Sequence, residues 1–225
     1  MYVWVVLTTF LAMIAAYILP IREDTNKLVN TPVAQARLMQ MVVKQKAGKQ
    51  YMKENQWPYF STQAEKKVNY TTGVITADKM ADYLPHGFIN NDEYTTVIYC
   101  LDEDMTTIRT GEDACRKVGS ETVVKVLITY GPIPEKWQAI FAEGEGEGVT
   151  YDIKPSQDMI NAFRSHFGVT EMVGYTIVED GLIKIVNYEG TKFDVPAIIA
   201  NDTEYSGYSL SNCIDDYTTC LAYMD

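Results

Sequence analysis

Four cysteines and two histidines are the residues of this chain best suited to redox, metal or nucleophilic chemistry. The cysteines form two close pairs, Cys100 with Cys115 and Cys213 with Cys220, and neither has the Cys-x-x-Cys spacing of a zinc or redox site. An even number of cysteines favours two local disulfides in an oxidising compartment. Three pairings are open and four free core thiols are the alternative, but proximity favours these two pairs.

Residues for acid–base catalysis are few. His86 lies in a Pro-His-Gly turn, and His166 lies where a predicted helix ends. Asp102 and Asp104 could act as a general acid and base, but a charged hairpin tip explains the same pair. The sequence has no Gly-x-Ser-x-Gly, His-Glu-x-x-His or phosphate-loop motif. These patterns favour a protein that is not an enzyme and uses no metal or cofactor.

The first 21 residues carry no charged side chain. At about 1.5 Å of rise per residue, a helix over Met1–Ile21 covers the roughly 30 Å of bilayer hydrocarbon. Trp4 and Tyr17 lie near its two ends, where aromatic side chains favour the headgroup region. A cleaved secretory signal is the alternative, but it would need a basic start and an Ala-x-Ala cleavage site. We therefore expect a retained single-pass anchor.

Two features indicate opposite sides of the membrane for the rest of the chain. Arg22, Lys27 and Arg37 follow the span, and basic residues near a span favour the cytoplasm. The paired cysteines favour an oxidising compartment. We expect an inner-membrane protein with a periplasmic or extracellular head.

Composition limits the class of the head. The part after residue 21 can bury a core in one domain, or in two small ones at most. An aromatic content of 12% argues against disorder. The formal net charge of −11 argues against nucleic acid or anionic lipid headgroups as partners.

Composition and turn residues divide the chain into five segments. They are a transmembrane anchor at 1–21, a polar joint and amphipathic helix at 22–57, a first part of the head at 58–142, a Glu/Gly-rich loop or linker at 143–150, and a second part of the head at 151–225. The Glu/Gly segment either separates two domains or decorates one.

The amphipathic helix is predicted to begin with Thr31 as its cap and Pro32 in its first turn, and its pattern stops at Trp57-Pro58. An apolar stripe follows it at helical spacing: Ala36, Met39, Val43, Ala47 and Tyr51. The stripe either packs on the chain's own sheet, which is slightly favoured, or binds neighbouring subunits.

The head has the pattern of an α+β fold with a mostly antiparallel sheet and short helices. Strands are predicted over 94–101, 122–130, 173–178 and 182–188, with 105–109 pairing to the first, and short helices over 76–83, 111–118 and 156–167. Glu179-Asp180-Gly181 predicts a hairpin between the last two strands.

An anchor, a long helix continuing from it and an acidic, disulfide-bearing α+β head together resemble type IV pilins and their relatives. Val173-Gly174-Tyr175, then Asp180-Gly181-Leu182 and Val195-Pro196-Ala197-Ile198-Ile199, resemble PilM-type accessory proteins of plasmid-type IVb thin pili. In that family an N-G-x-L hairpin precedes an x-P-x-x-I segment. Pilins have Glu as the fifth residue of the helix, whereas this chain has Val5, which favours an unprocessed assembly partner.

The resemblance implies a membrane-anchored structural or assembly component of a type IV pilus-like filament or secretion machine. Its partners would be other pilus or machine proteins and, through the N-terminal helix, the membrane, with self-association as a further option. The alternatives are a minor pilin within the filament and a tethered binding or adhesion module that uses C-terminal tyrosines: Tyr205, Tyr208, Tyr217 and Tyr223.

Overall fold

A computed structural model describes residues 32–55, 70–89, 94–116, 122–133, 137–143, 150–168, 171–202, 210 and 220–225. The predicted anchor, most of the Glu/Gly-rich loop and Cys213 lie outside these residues. None of the helices within them is both long and apolar enough to cross a bilayer.

An antiparallel sheet of seven strands forms the centre of the head. In chain order the strands within the described residues are β1 (Gly73–Val74), β2 (Thr95–Leu101), β3 (Val124–Pro132), β4 (Gln138–Glu143), β5 (Thr150–Pro155), β6 (Val173–Glu179), β7 (Leu182–Val186), β8 (Lys192–Asp194) and β9 (Cys220–Met224). Across the large sheet the order is β1-β2-β3-β9-β6-β7-β8, and β4 and β5 form a separate hairpin. The predicted α+β fold with a mostly antiparallel sheet is therefore confirmed.

Four helices accompany the sheet in the described residues: α1 over residues 32–54, α2 over Ala77–Ala81, α3 over Gln157–His166 and α4 over Ala197–Ala200. Helix α1 confirms the predicted amphipathic helix, and α2 and α3 lie within the predicted short helices. Ser156 has the extended backbone of an N-cap, although its hydroxyl makes no capping hydrogen bond.

Both faces of the central strands β2 and β3 are buried. Successive side chains of a strand point to opposite faces of the sheet, so both faces carry apolar side chains. Ile98 and Leu127 lie on the face covered by α1. Val97 and Ile128 lie on the opposite face, in a cluster that includes Val195 and residues of α4. The sheet is thus the middle of three layers, which explains the near-continuous apolar sequences of β2 and β3.

The hairpin between β6 and β7 has the predicted turn. Asp180 and Gly181 both have positive φ, 54° and 75°, as a type I′ turn requires. At the other end of this hairpin, a Cβ on Gly174 would lie 1.8 Å from the carbonyl oxygen of Val186. Only glycine lets the two strands approach this closely.

Two predicted features of the head differ in detail from the structure, and a third feature was not predicted. Residues 111–116 form successive turns rather than a helix, since their hydrogen bonds, such as Ala114 N–H to the Gly111 carbonyl, span three residues. The predicted pairing of residues 105–109 with β2 is present, since Ile108 bridges Leu101 and the Arg109 N–H donates to the Cys100 carbonyl at 2.8 Å, but these residues form only this bridge and no regular strand. The hairpin β4–β5, which flanks the Glu/Gly segment, was not predicted. Strands from both predicted parts of the head join one sheet.

Candidate interaction surface on the first helix

Helix α1 packs on the sheet through positions spaced alternately by four and three residues. We call these positions the inner row: Ala34, Leu38, Met41, Gln45, Gly48 and Met52. Alternating steps of four and three residues average about 3.5 residues. Because this is close to the roughly 3.6 residues of a helical turn, the positions stay on one side of the helix. Ala34, Leu38 and Met41 are fully buried. The row fixes which side of α1 faces away from the sheet.

A buried polar contact joins the inner row to the two central strands. The amide of Gln45 donates to the Leu127 carbonyl at 3.1 Å, and the Thr129 hydroxyl donates to Gln45 Oε1 at 2.6 Å. The hydroxyls of Thr96 and Thr129 lie 2.9 Å apart. Since buried polar groups need partners, these bonds favour one position of α1 along the sheet.

Gly48 brings α1 close to the sheet just beyond Gln45. A Cβ at this position would lie 3.1 Å from Thr96 Cγ2 and 3.2 Å from a Leu127 methyl group. The lack of a side chain at residue 48 therefore lets α1 pack closely on the sheet at this point.

Lys44 also faces inward, with only 3% of its surface exposed. Its ammonium donates to the Tyr94 carbonyl at 2.7 Å and lines a cavity of about 120 Å³ beside Thr76 and Thr96. Burial raises the pKa of Tyr94 to about 12, and the nearby Arg37 guanidinium partly opposes that rise. The bond to Tyr94 ties the middle of α1 to the residue that precedes β2.

A cluster of tyrosines holds the end of α1. The ring of Tyr51 lies 6.3 Å from that of Tyr70 and meets the ring of Tyr83 edge-on at 5.7 Å. Burial raises the pKa of Tyr51, and the neighbouring Tyr83 and Tyr70 add to the rise. The phenol therefore stays neutral at physiological pH and acts as a packing group.

The opposite side of α1 has an apolar first half and a polar, basic second half. We call its positions, spaced by three and four residues, the outer row: Ala36, Met39, Val43, Lys46, Gln50 and Lys53. Met39 is 39% exposed, as is Val33 beside the row. Val43 is half-buried, and the other members are exposed.

The predicted apolar stripe crosses from the outer row to the buried side of α1. Ala36, Met39 and Val43 belong to the outer row, whereas Ala47 and Tyr51 are 2% and 7% exposed and pack within the chain. Each four-residue step rotates a helix position by about 40°, so steps from 43 to 47 to 51 turn toward the sheet. A partner-binding role for the stripe stays a prediction.

Sequence reasoning missed the inner row because two of its members are not apolar. Gln45 and Gly48 interrupt the hydrophobic pattern, yet both are buried against the sheet. The alternating four-and-three spacing of Ala34, Leu38 and Met41 would have identified the row had polar residues been allowed inside it.

The predicted pair Cys100–Cys115 is a disulfide, with Cα atoms 5.1 Å apart. Both cysteines are buried, and the bridge ties residues 111–116 to β2. Cys220 is also disulfide-bonded. Its predicted partner Cys213 lies outside the described residues.

Asp102 stabilises its own loop. Its carboxylate accepts hydrogen bonds from the Thr106 N–H at 2.7 Å, the Thr107 N–H at 3.1 Å and the Thr106 hydroxyl at 2.9 Å. The bond from the Thr107 backbone is the largest cause that lowers the pKa of Asp102. Asp104 is exposed in the same turn.

The histidines and the described C-terminal tyrosine are not members of the outer row. His86 is exposed in a turn, and His166 is the exposed last residue of α3. Tyr223 is half-buried and meets Phe167 edge-on at 5.9 Å. Tyr205, Tyr208 and Tyr217 lie outside the described residues.

Among the described residues, no group of three or more His, Cys, Asp or Glu side chains is placed to hold a metal ion. Comparison of the chain with protein-family models, with curated proteins and with solved structures finds no match.

Proposed function

We propose that this protein is a membrane-anchored structural or assembly component of a type IV pilus-like filament or secretion machine. It acts through protein–protein contacts, and its head lies on the periplasmic or extracellular side of the inner membrane. The observation that carries the proposal is the apolar half of the outer row: Ala36, Met39 and Val43 face away from the chain's own core.

The position of this apolar surface supports the proposal. Residues 22–31 separate the predicted membrane span from the first described turn of α1. The apolar half of the outer row is thus the part of the described helix nearest to the span in sequence. Other membrane-anchored subunits would meet the protein here, and apolar helix surfaces are suited to helix–helix packing.

The arrangement of the head supports the same class of protein. A long helix packs on an antiparallel sheet, and a disulfide ties residues 111–116 to β2, the strand next to the edge. These are the features on which the sequence resembles pilin-related proteins. They serve to present a helix rigidly, since Gln45 and Gly48 fix its position on the sheet.

Photo-crosslinking in the native host tests the proposal. A photoreactive amino acid replaces Met39 in the full chain, and a matched variant carries it at Met105. Met105 is also a methionine, is 46% exposed and lies in the turn after β2. We expect position 39 to crosslink to membrane-embedded subunits and position 105 not to. Absence of crosslinked protein from position 39, or the same products from both positions, would refute the proposal.

A further inference from the structure

The basic half of the outer row belongs to an otherwise strongly acidic protein. Residues 32–55 contain five basic residues and one acidic residue, a local formal charge of +4. The whole chain has a formal net charge of −11, so the remaining residues carry −15. Positive charge is therefore concentrated on one helix.

Two lysines of this helix are available for a partner. Lys44 is buried, and Lys49 pairs with Asp225 at 2.6 Å. Lys46 and Lys53 are exposed, and neither has an ion pair with any residue that the structure describes. Gln50, between them, is hydrogen-bonded to Glu54 on the same helix.

We propose that the outer row of α1 docks on an acidic surface of a second copy of this chain. The proposal deepens the proposed function, on which it rests, by naming the chemistry of the partner. A surface that matches the row must offer apolar contact to Met39 and Val43 and carboxylates to Lys46 and Lys53. The remainder of the same chain, with its charge of −15, supplies an acidic partner wherever this protein is present.

The charges also decide how two copies meet. If two outer rows packed against each other in parallel, their lysines would face each other. In the antiparallel orientation, lysines would face the apolar half. A contact between the row and a different, acidic surface avoids both lysine–lysine repulsion and the placing of lysines against apolar side chains. Such a heterologous contact repeats into a ring or filament.

Repulsion between whole molecules does not prevent this contact. At physiological ionic strength the Debye length is about 8 Å, so the net charges of two separated molecules are largely screened. Pairs of opposite charge in direct contact are screened less.

Sedimentation of the full chain in detergent micelles at about 0.15 M salt tests the proposal. Lys46→Glu is compared with Lys79→Glu, which changes the net charge equally at an exposed lysine of α2. We expect the wild type to self-associate, Lys46→Glu to weaken association about tenfold, and Lys79→Glu to leave it unchanged. Wild-type protein that stays monomeric, or two variants with equal effects, would overturn the proposal.

A second comparison identifies the bilayer as an alternative occupant. The same variants are measured in nanodiscs of zwitterionic lipid and in nanodiscs that contain phosphatidylglycerol. If the Lys46→Glu effect appears only with the anionic lipid, the row contacts the membrane surface and the proposal is overturned.

The failures of the two proposals are distinguishable. Crosslinks from position 39 to other proteins, together with monomeric purified protein, would overturn self-association and leave the proposed function standing. Absence of any crosslink from position 39 in cells would refute the proposed function and would also count against the docking contact, because Met39 belongs to the same row.

Discussion

Gln45 and Thr129 should depend on each other energetically, because each satisfies the other inside the protein. Both side chains are fully buried, and their hydrogen bond is 2.6 Å long. Gln45→Met removes the acceptor of the Thr129 proton, while the Leu127 carbonyl keeps its bond from the Asp225 N–H at 3.0 Å. One buried hydroxyl proton loses its partner, and such a loss costs about 1–3 kcal/mol of unfolding free energy.

Thr129→Val should have a similar cost, because it leaves the Gln45 carbonyl oxygen without the same bond. In the double variant both the Gln45 carbonyl oxygen and the Thr129 hydroxyl are absent, so neither is left buried without the other as its hydrogen-bond partner. We therefore expect the double variant to lose less unfolding free energy than the sum of the single variants, by about 1–2 kcal/mol. Guanidinium unfolding of the full chain, followed by tryptophan fluorescence, measures all four proteins of this cycle. Trp137, which clusters with Leu38 of α1, is a suitable probe.

Gln50→Met is the matched control, since Gln50 is an exposed glutamine on the same helix. It should change the unfolding free energy by no more than about 0.5 kcal/mol. Single-variant losses that simply add in the double variant would show that the polar contact does not couple α1 to the sheet, and the reasoning would be refuted.

Three further variants test the head. Gly174→Ala should lower the unfolding free energy by about 3 kcal/mol or more, because the Cβ would overlap the Val186 carbonyl. Gly168→Ala, with open space around the Cβ, should change the unfolding free energy little. Equal effects of the two variants in unfolding experiments would contradict this prediction. Replacing Cys100 and Cys115 together with alanine should cost about 3 kcal/mol on the loop-entropy model, since the bridge spans 15 residues; a wild-type unfolding midpoint would refute it. Hydrogen bonds lower the pKa of Asp102 in the folded state, so its stabilisation is present above the unfolded-state pKa and is lost as pH falls through the folded-state pKa. Asp102→Ala should therefore lower stability at neutral pH and remove this part of the acid dependence, and an unchanged stability–pH curve would argue against it.

Local sequence patterns predicted β2, β3, β6, β7 and the turn between β6 and β7, because their determinants are short-range, whereas the other strands were not predicted. The β-branched and aromatic residues of β2 and β3 and the Asp180-Gly181 turn required no knowledge of the rest of the fold. The order of strands could not be predicted in the same way. The position of β9 between β3 and β6 depends on pairing across a long sequence separation, and no local feature specifies it.

The packing of α1 was predicted only in part. The slightly favoured interpretation, that the apolar stripe packs on the chain's own sheet, holds for Ala47 and Tyr51 but is wrong for the exposed Ala36 and Met39. A search for apolar periodicity discards Gln45 and Gly48, although their hydrogen bonding and small size are what the helix–sheet contact requires. The basic half of the outer row was hidden by the net charge of the whole chain, which averages over opposite local charges.

The central place of β9 has a consequence for the synthesis of the protein. Strands β1–β3 and β6–β8 can pair among themselves as they emerge, but β9 alone joins the two groups. Until residues 220–224 are made, β3 and β6 each present an open edge that can pair with another nascent chain. The Cys100–Cys115 bridge can form before then, because both cysteines precede β3. The Cys100–Cys115 disulfide can thus form first, and β9 then completes the sheet by pairing with β3 and β6.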